Sequence, residues 1–176
     1  LQRSLASLEG LPKPPALHTE IQQELGGQGI LSGWGLTEAP ILTMASALDP
    51  DDKLATTEGR AMPGVLLRAV DLDGNEVGAG EEGELRAKAP QMMRGYLDGS
   101  LDADAFDADG WFRTGDLGFI DEHGYVRITG RVKDVIIRKG ENVSAAEVEN
   151  LLYEHPKVAD VAVIGLPDAE RGEMVC

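Results

Sequence analysis

The stretch Asp107-Ala108-Asp109-Gly110-Trp111-Phe112-Arg113-Thr114-Gly115-Asp116-Leu117-Gly118 decides how the rest of the chain is read. Its acidic residues and glycines mark sharp turns, while Trp111, Phe112 and Leu117 need apolar surroundings. It fits either a calcium loop or a ligand-binding turn that aims the carboxylate of Asp116. An EF-hand loop needs acidic residues at positions one, three and five, glycine at six and glutamate at twelve. With Gly110 at six, Asp109 and Asp107 fall correctly, but Ala105 stands at one and Asp116 at twelve. The downstream pattern is also strand, not helix. The calcium reading fails at both ends, and Asp71-Leu72-Asp73-Gly74-Asn75 fits no better: it is a hairpin turn.

Working outward, residues 63–129 read as short strands joined by tight turns. Val65–Val70 is apolar and β-prone, and Glu84–Ala87 can pair back onto it. Gly118-Phe119-Ile120 and Tyr125-Val126-Arg127-Ile128 flank Asp121-Glu122-His123-Gly124, a hairpin signature. Upstream, residues 12–25 predict a helix entered through Pro14 and Pro15, with Leu17, Ile21 and Leu25 on its core face and His18 at the surface. Ile30 and Leu31 form a short strand candidate. Downstream, Val132–Ile137 and Val143 flank a turn through Lys139-Gly140-Glu141-Asn142. Ser144-Ala145-Ala146-Glu147 is a capping box opening a helix whose face carries Val148, Leu151, Leu152 and His155. Val158–Ile164 predicts a strand, followed by a polar loop to Cys176.

A formal net charge of -15 argues against a nucleic-acid partner, which would need a basic face. The acidity reads as a solvated surface. A lone cysteine, Cys176, excludes an internal disulfide or a multi-cysteine zinc site, and the three histidines are scattered. No apolar run approaches the roughly 20 residues that cross a bilayer. A cytoplasmic location is the expectation. The start at Leu1 suggests a piece of a longer protein or a processed product.

Gly33-Trp34-Gly35-Leu36-Thr37-Glu38 places a hydroxyl and a carboxylate side by side after a glycine turn. A threonine hydroxyl can donate to a phosphate oxygen, a glutamate can hold a magnesium ion that bridges phosphates, and Trp34 could wall a purine. Asp116 offers two acceptor oxygens to the two hydroxyls of a ribose, and Arg131 could donate to the same sugar. Together these residues point to a nucleotide site.

The ordered set of motifs resembles the AMP-forming acyl-CoA synthetases (fatty-acid–CoA ligase-like) of the adenylate-forming superfamily. It comprises Gly33–Glu38, Gly83-Glu84-Leu85, Gly110–Leu117, Gly130-Arg131-Val132-Lys133-Asp134, Lys139–Val143 and Glu147-Val148-Glu149. The resemblance implies a mixed α/β fold. Residues 1–48 would end an α/β sandwich subdomain, 49–129 form a strand-rich distorted barrel, 130–134 a hinge, and 135–176 the start of a small α+β C-terminal domain. It implies that Thr37 contacts the α-phosphate, Glu38 serves Mg2+, and Asp116 and Arg131 hold the ribose. Gly33, Trp34, Gly35, Ile128 and the segment Gly10-Leu11-Pro12 would line the rest of the ATP/AMP site, with Leu11 standing where the family has a small residue. Lys133 would be the hinge residue, Gly140 would lie near the CoA thiol, and Gly35 would border an acyl pocket left open for more than acetate, a fatty, cyclic or aryl acid. The implied reaction makes an acyl-adenylate from a carboxylic acid and ATP, then a thioester with CoA. The family's phosphate loop and catalytic lysine are expected outside these residues, leaving the chain alone inactive. A carrier-protein adenylation domain, a luciferase-like enzyme and a non-catalytic nucleotide-binding module remain alternatives.

Overall fold

The computed structural model describes residues 15–139, 141–153, 155, 157–168 and 170–176. The fold is mixed α/β, and the described residues divide into two compact units, one ending at Ile128 and the other covering Thr129–Cys176.

The first unit contains helices α1 (Pro15–Leu25), α2 (Asp51–Thr56) and α3 (Asp102–Ala105) and two antiparallel sheets. A small sheet orders β1 (Gly33–Trp34), β2 (Thr43–Met44) and β3 (Arg60–Ala61) as β1-β2-β3. A larger one orders β4 (Leu66–Val70), β5 (Gly83–Lys88), β6 (Phe112–Ile120) and β7 (Val126–Arg131) consecutively, the end of β7 from Thr129 falling past the boundary at Ile128. Along β5 burial alternates, with Gly83, Leu85 and Ala87 inward, as the two-residue period of a strand requires. Leu85, Ala87, Ala69, Val126 and Ile128 then meet Trp34, Ala39, Leu42 and Val65 in one apolar cluster.

Three hairpin turns in this unit share one construction. Asp71, Asp107 and Asp121 each begin a five-residue turn closed by backbone hydrogen bonds to Asn75, Trp111 and Tyr125. In each, one carboxylate oxygen accepts the N–H groups two and four residues on, at 2.8–3.1 Å. The fourth residue is a glycine at φ +87°, +76° and +80° respectively, a left-handed conformation that a side chain would strain. The opening stretch therefore spends its first carboxylate on its own backbone. The other oxygen of Asp107 receives the guanidiniums of Arg68 and Arg86 at 2.7 and 2.9 Å. Trp111 is half-buried between cations, with Arg68 4.5 Å and Lys88 5.0 Å from its ring, whereas Phe112 is buried against Phe106.

The helix at the start reverses its expected faces. Leu25 is 71% exposed and Leu17 and Ile21 only half-buried, while His18 is fully buried. The imidazole fills space that only a glycine leaves: a Cβ on Gly29 would lie 2.5 Å from the ring. Its Nδ1 accepts the N–H of Ile30 at 3.0 Å, and its Nε2 pairs with Asp51 Oδ1 at 3.2 Å, so burial leaves no ring nitrogen unsatisfied. Ile30 and Leu31 do not pair as a strand; the ladder starts at Gly33, opposite Met44.

The second unit orders β8 (Val135–Arg138), β9 (Glu141–Ser144), β10 (Gly165–Asp168) and β11 (Gly172–Val175) as β10-β11-β8-β9, all antiparallel. The capping serine is in place: Ser144 Oγ accepts the N–H of Glu147 at 3.3 Å at the start of α4 (Ala145–Tyr153). Ile136, Ala145 and Val163 form a small core with Val143, Val148, Val161 and Val175. Leu151 and Leu152 lie outside it, exposed. The apolar run Val158–Ile164 is not a strand. The N–H groups of Val161 and Val163 go to the carboxylates of Asp160 and Glu149, at 3.0 and 2.8 Å, instead of to a ladder. Pairing begins where Ile164 exchanges both backbone hydrogen bonds with Cys176, and the expected terminal loop is strand β11.

Burial pushes the Asp107 carboxyl up, but the N–H of Trp111, the Arg86 guanidinium, the N–H of Asp109 and the charge of Arg68 outweigh it and hold its pKa below the ordinary value. Burial is likewise outweighed at Asp121 by Lys53 and the turn's own N–H groups. A carboxyl with a lowered folded pKa stabilises the fold above its unfolded value and loses that contribution as pH falls through the folded one. The turns should thus weaken together below about pH 4. Asp107→Ala takes the carboxylate from Arg68 and leaves Arg86 with Glu84 alone, and should cost about 3 kcal/mol. Asp71→Ala, which loses only exposed turn bonds, should cost much less; denaturation midpoints of the two variants at pH 7 and pH 3 check both expectations.

Candidate functional site

Gly33, Trp34, Gly35, Thr37, Glu38 and Asp116, all singled out by sequence, lie on β1, the bend after it, and β6. In β6 the register with β5 is broken: Glu84 faces Leu117 and Arg86 faces Arg113, so Leu85 alone faces Thr114, Gly115 and Asp116. Such a bulge costs ladder hydrogen bonds, and Thr114 replaces them. Its hydroxyl donates to the Leu85 carbonyl at 2.6 Å and accepts the N–H of Asp116 at 3.1 Å. Gly115, at φ +71°, supplies the left-handed residue that turns the strand. The outcome is that Asp116 points inward and is only 5% exposed.

Trp34 meets it there. The indole Nε1–H donates to Asp116 Oδ2 at 2.8 Å across 82 residues of sequence. The ring is fixed from its other end by its backbone, whose N–H donates to the hydroxyl of buried Thr43 at 3.1 Å. A buried carboxylate demands such partners, and a charge-assisted bond is the stronger kind. Ile128, on β7, is buried in the same apolar cluster as Trp34.

Around Trp34 the glycines answer to close backbone approach. A Cβ on Gly33 would lie 2.7 Å from the Thr43 carbonyl, and one on Gly35 would lie 2.4 Å from the Ile41 nitrogen. Gly35 therefore has a local reason to be glycine, independent of any pocket it borders. Thr37 is exposed and Glu38 half-buried in the bend that follows. Tyr96 donates its O–H to Glu38 Oε1 at 2.8 Å. Among the described residues, no cluster of three or more His, Cys, Asp or Glu could hold a metal by itself. A magnesium held mainly by nucleotide phosphates needs only one or two carboxylates, and Glu38 fits that mode.

In the second unit, Arg131 closes β7 and is half-buried. Lys133 is exposed within a 3-10 turn, Val132–Asp134. Gly10, Leu11, Pro12 and Gly140 lie outside the described residues. Sequence reasoning passed over Thr114, quoted without a role, and Tyr96. The threonine preceding a glycine next to a candidate ligand carboxylate was a usable signal; nothing local marks Tyr96.

Replacing the indole by a ring without a donor tests how far this geometry depends on one bond. Trp34→Phe should destabilise the protein by roughly 1.5–3 kcal/mol, because Asp116 keeps its burial and loses a charge-assisted donor. Thr114→Val should act in the same direction by freeing the bulge. Equilibrium denaturation measures both, and wild-type stability in Trp34→Phe would sink the assignment of Trp34 as the anchor of Asp116.

Residues 3–97 match the AMP-binding enzyme family, and residues 147–176 match the AMP-binding enzyme C-terminal domain. The chain is 39% identical over 168 residues to a medium-chain fatty-acid–CoA ligase of Escherichia coli (strain K12), covering 95% of this chain and 29% of that protein. Its fold resembles ATP-bound MatB from Rhodopseudomonas palustris, with a TM-score of 0.85 and 36% identity over 94% of this chain and 33% of that one. It also resembles an o-succinylbenzoate coenzyme A synthetase from Bacillus subtilis, in complex with ATP and magnesium, with a TM-score of 0.80 and 31% identity over 94% and 34% of the two chains. The chain thus spans about a third of the length of these relatives. With the motifs in order, the matching fold and a family match over more than half its residues, the chain belongs to the AMP-binding enzymes, the family of the acyl-CoA synthetases.

Proposed function

We propose that these residues form part of an AMP-forming acid–thiol ligase that activates a carboxylic acid with ATP and passes the acyl group to CoA. The observation that carries this reading is Asp116, a buried carboxylate built onto a bulge and held at one oxygen by Trp34. Such an arrangement suits a clamp for vicinal hydroxyls, since a fixed acceptor recognises a ribose without reorganising. Arg131 is assigned to the same sugar. Trp34, Gly33, Gly35, Ile128 and the segment Gly10-Leu11-Pro12 are assigned to the nucleotide's surroundings.

In the first half-reaction a carboxylate oxygen of the acid attacks the α-phosphorus of ATP. The bond to the β-phosphate oxygen breaks, releasing pyrophosphate and leaving an acyl-adenylate. Thr37 donates to the α-phosphate, and Glu38 holds the magnesium, whose charge offsets that of the phosphates. In the second, the CoA thiol, losing its proton, attacks the acyl carbonyl and AMP leaves. Lys133 is assigned as the hinge between the two halves, with Gly140 near the thiol. The protein's contribution is mostly positioning and charge stabilisation. On this reading, the phosphate-gripping loop and the adenylation lysine come from the two thirds of such an enzyme that this chain does not span. The hinge divides a barrel of residues 49–129 from a C-terminal domain beginning at 135. The protein works in the cytoplasm, and the acid is larger than acetate: one relative is named for medium-chain fatty acids and another for an aryl acid.

Pyrophosphate exchange into ATP by the full-length enzyme, measured across acids from acetate to dodecanoate and benzoate, tests the reading. Exchange should depend on the acid and favour those larger than acetate, and CoA should release AMP; activity confined to acetate would reject the substrate class. The 176-residue chain alone should give no exchange. Asp116→Ala in the full-length enzyme should weaken ATP binding about tenfold or more, and calcium should change nothing.

A further inference from the structure

The connection between β5 and α3 is stitched to the bend that carries Thr37 and Glu38. Gln91 Nε2 donates to the carbonyls of Pro40 and Ile41 at 3.1 and 2.9 Å. The N–H of Met93 donates to the carbonyl of Glu38 at 2.8 Å. The O–H of Tyr96 then reaches the Glu38 carboxylate itself, 2.8 Å from Oε1. Backbone and side chain of one residue are thus gripped by a segment more than fifty positions downstream.

Tyr96 is held in turn. Its N–H donates to Asp102 Oδ1 at 2.9 Å, and the preceding Gly95 sits at φ +153°, where a Cβ would lie 2.7 Å from Asp102 Oδ2. Asp102 opens α3, so the phenol is fixed to a helix and not to a loose loop. Among the described residues, no other side chain donates to this carboxylate.

We propose that Tyr96 is a positioning residue for the metal carboxylate: by holding Oε1 of Glu38 it presents Oε2 in one orientation to a magnesium–nucleotide complex. The inference rests on the assignment of Glu38 to magnesium. A carboxylate on a freely rotating glutamate loses rotamer entropy when it binds, and a pre-existing hydrogen bond removes part of that cost. The hydrogen bond of the phenol goes to Glu38, so its effect falls on the metal carboxylate.

The test is calorimetric titration of the full-length enzyme with ATP, in magnesium chloride and separately in EDTA. In Tyr96→Phe the gain in ATP affinity conferred by magnesium should fall roughly five- to tenfold, with affinity in EDTA unchanged. The magnesium concentration for half-maximal pyrophosphate exchange should rise by a similar factor. Glu38→Gln should remove most of the magnesium-dependent gain, and adding Tyr96→Phe to it should take away nothing more. That non-additivity stays readable even where Tyr96→Phe lowers the thermal midpoint. A wild-type magnesium dependence in Tyr96→Phe, or an equal loss of affinity with and without magnesium, overturns the inference and leaves the assignment of Glu38 standing. An unaltered magnesium dependence in Glu38→Gln overturns that assignment, and the inference with it.

Discussion

The hydrogen bond from the Trp34 indole to the Asp116 carboxylate joins two things that the chain makes separately. One is the small sheet of β1–β3, where Trp34 is anchored by Thr43. The other is the bulge in β6, where Thr114 and Gly115 turn Asp116 into the interior. An uncompensated carboxylate at that depth would cost several kcal/mol or would protonate. Its retention therefore depends on donors brought from distant elements. An arrangement built in this way is formed by the fold itself, and its cost is borne in folding.

The acidity of the chain has a similar double character. Its surplus of acidic residues reads as solvated surface, yet several are structural. Asp71, Asp107 and Asp121 each satisfy their own turn, and Asp107 and Asp121 also pair with Arg68, Arg86 and Lys53. Asp49 similarly receives the Tyr125 hydroxyl and Arg60. In these turns negative charge is used where backbone N–H groups would otherwise be left without partners.

Much of the fold was legible because its cues are local. The Asp-and-glycine turns and the Ser144 cap act within five or six residues, and they stand where the sequence places them. The failures share a cause as well. His18 and Leu25 exchanged places because the donor, acceptor and glycine that bury the histidine come from Ile30, Asp51 and Gly29 respectively. Val158–Ile164 has strand composition, but carboxylates of Asp160 and Glu149 intercept its backbone. Trp111 was assigned to the core on hydrophobicity, whereas two cations make a half-exposed indole favourable. The motifs singled out Asp116, Trp34 and Glu38. That Trp34 holds Asp116 and Tyr96 holds Glu38 depends on pairings 82 and 58 residues apart that no local pattern encodes.

The turn at Asp121 also has a bearing on Asp116 that neither residue shows alone. Because β6 and β7 are neighbours joined by that turn, a slip of one position there would turn the faces of one strand over relative to the other. Asp121 forbids the slip by counting out five residues with its own side chain. A residue with no place in the site thus acts as its ruler, and insertions in this hairpin would be felt as misdirection of a carboxylate before they were felt as loss of fold.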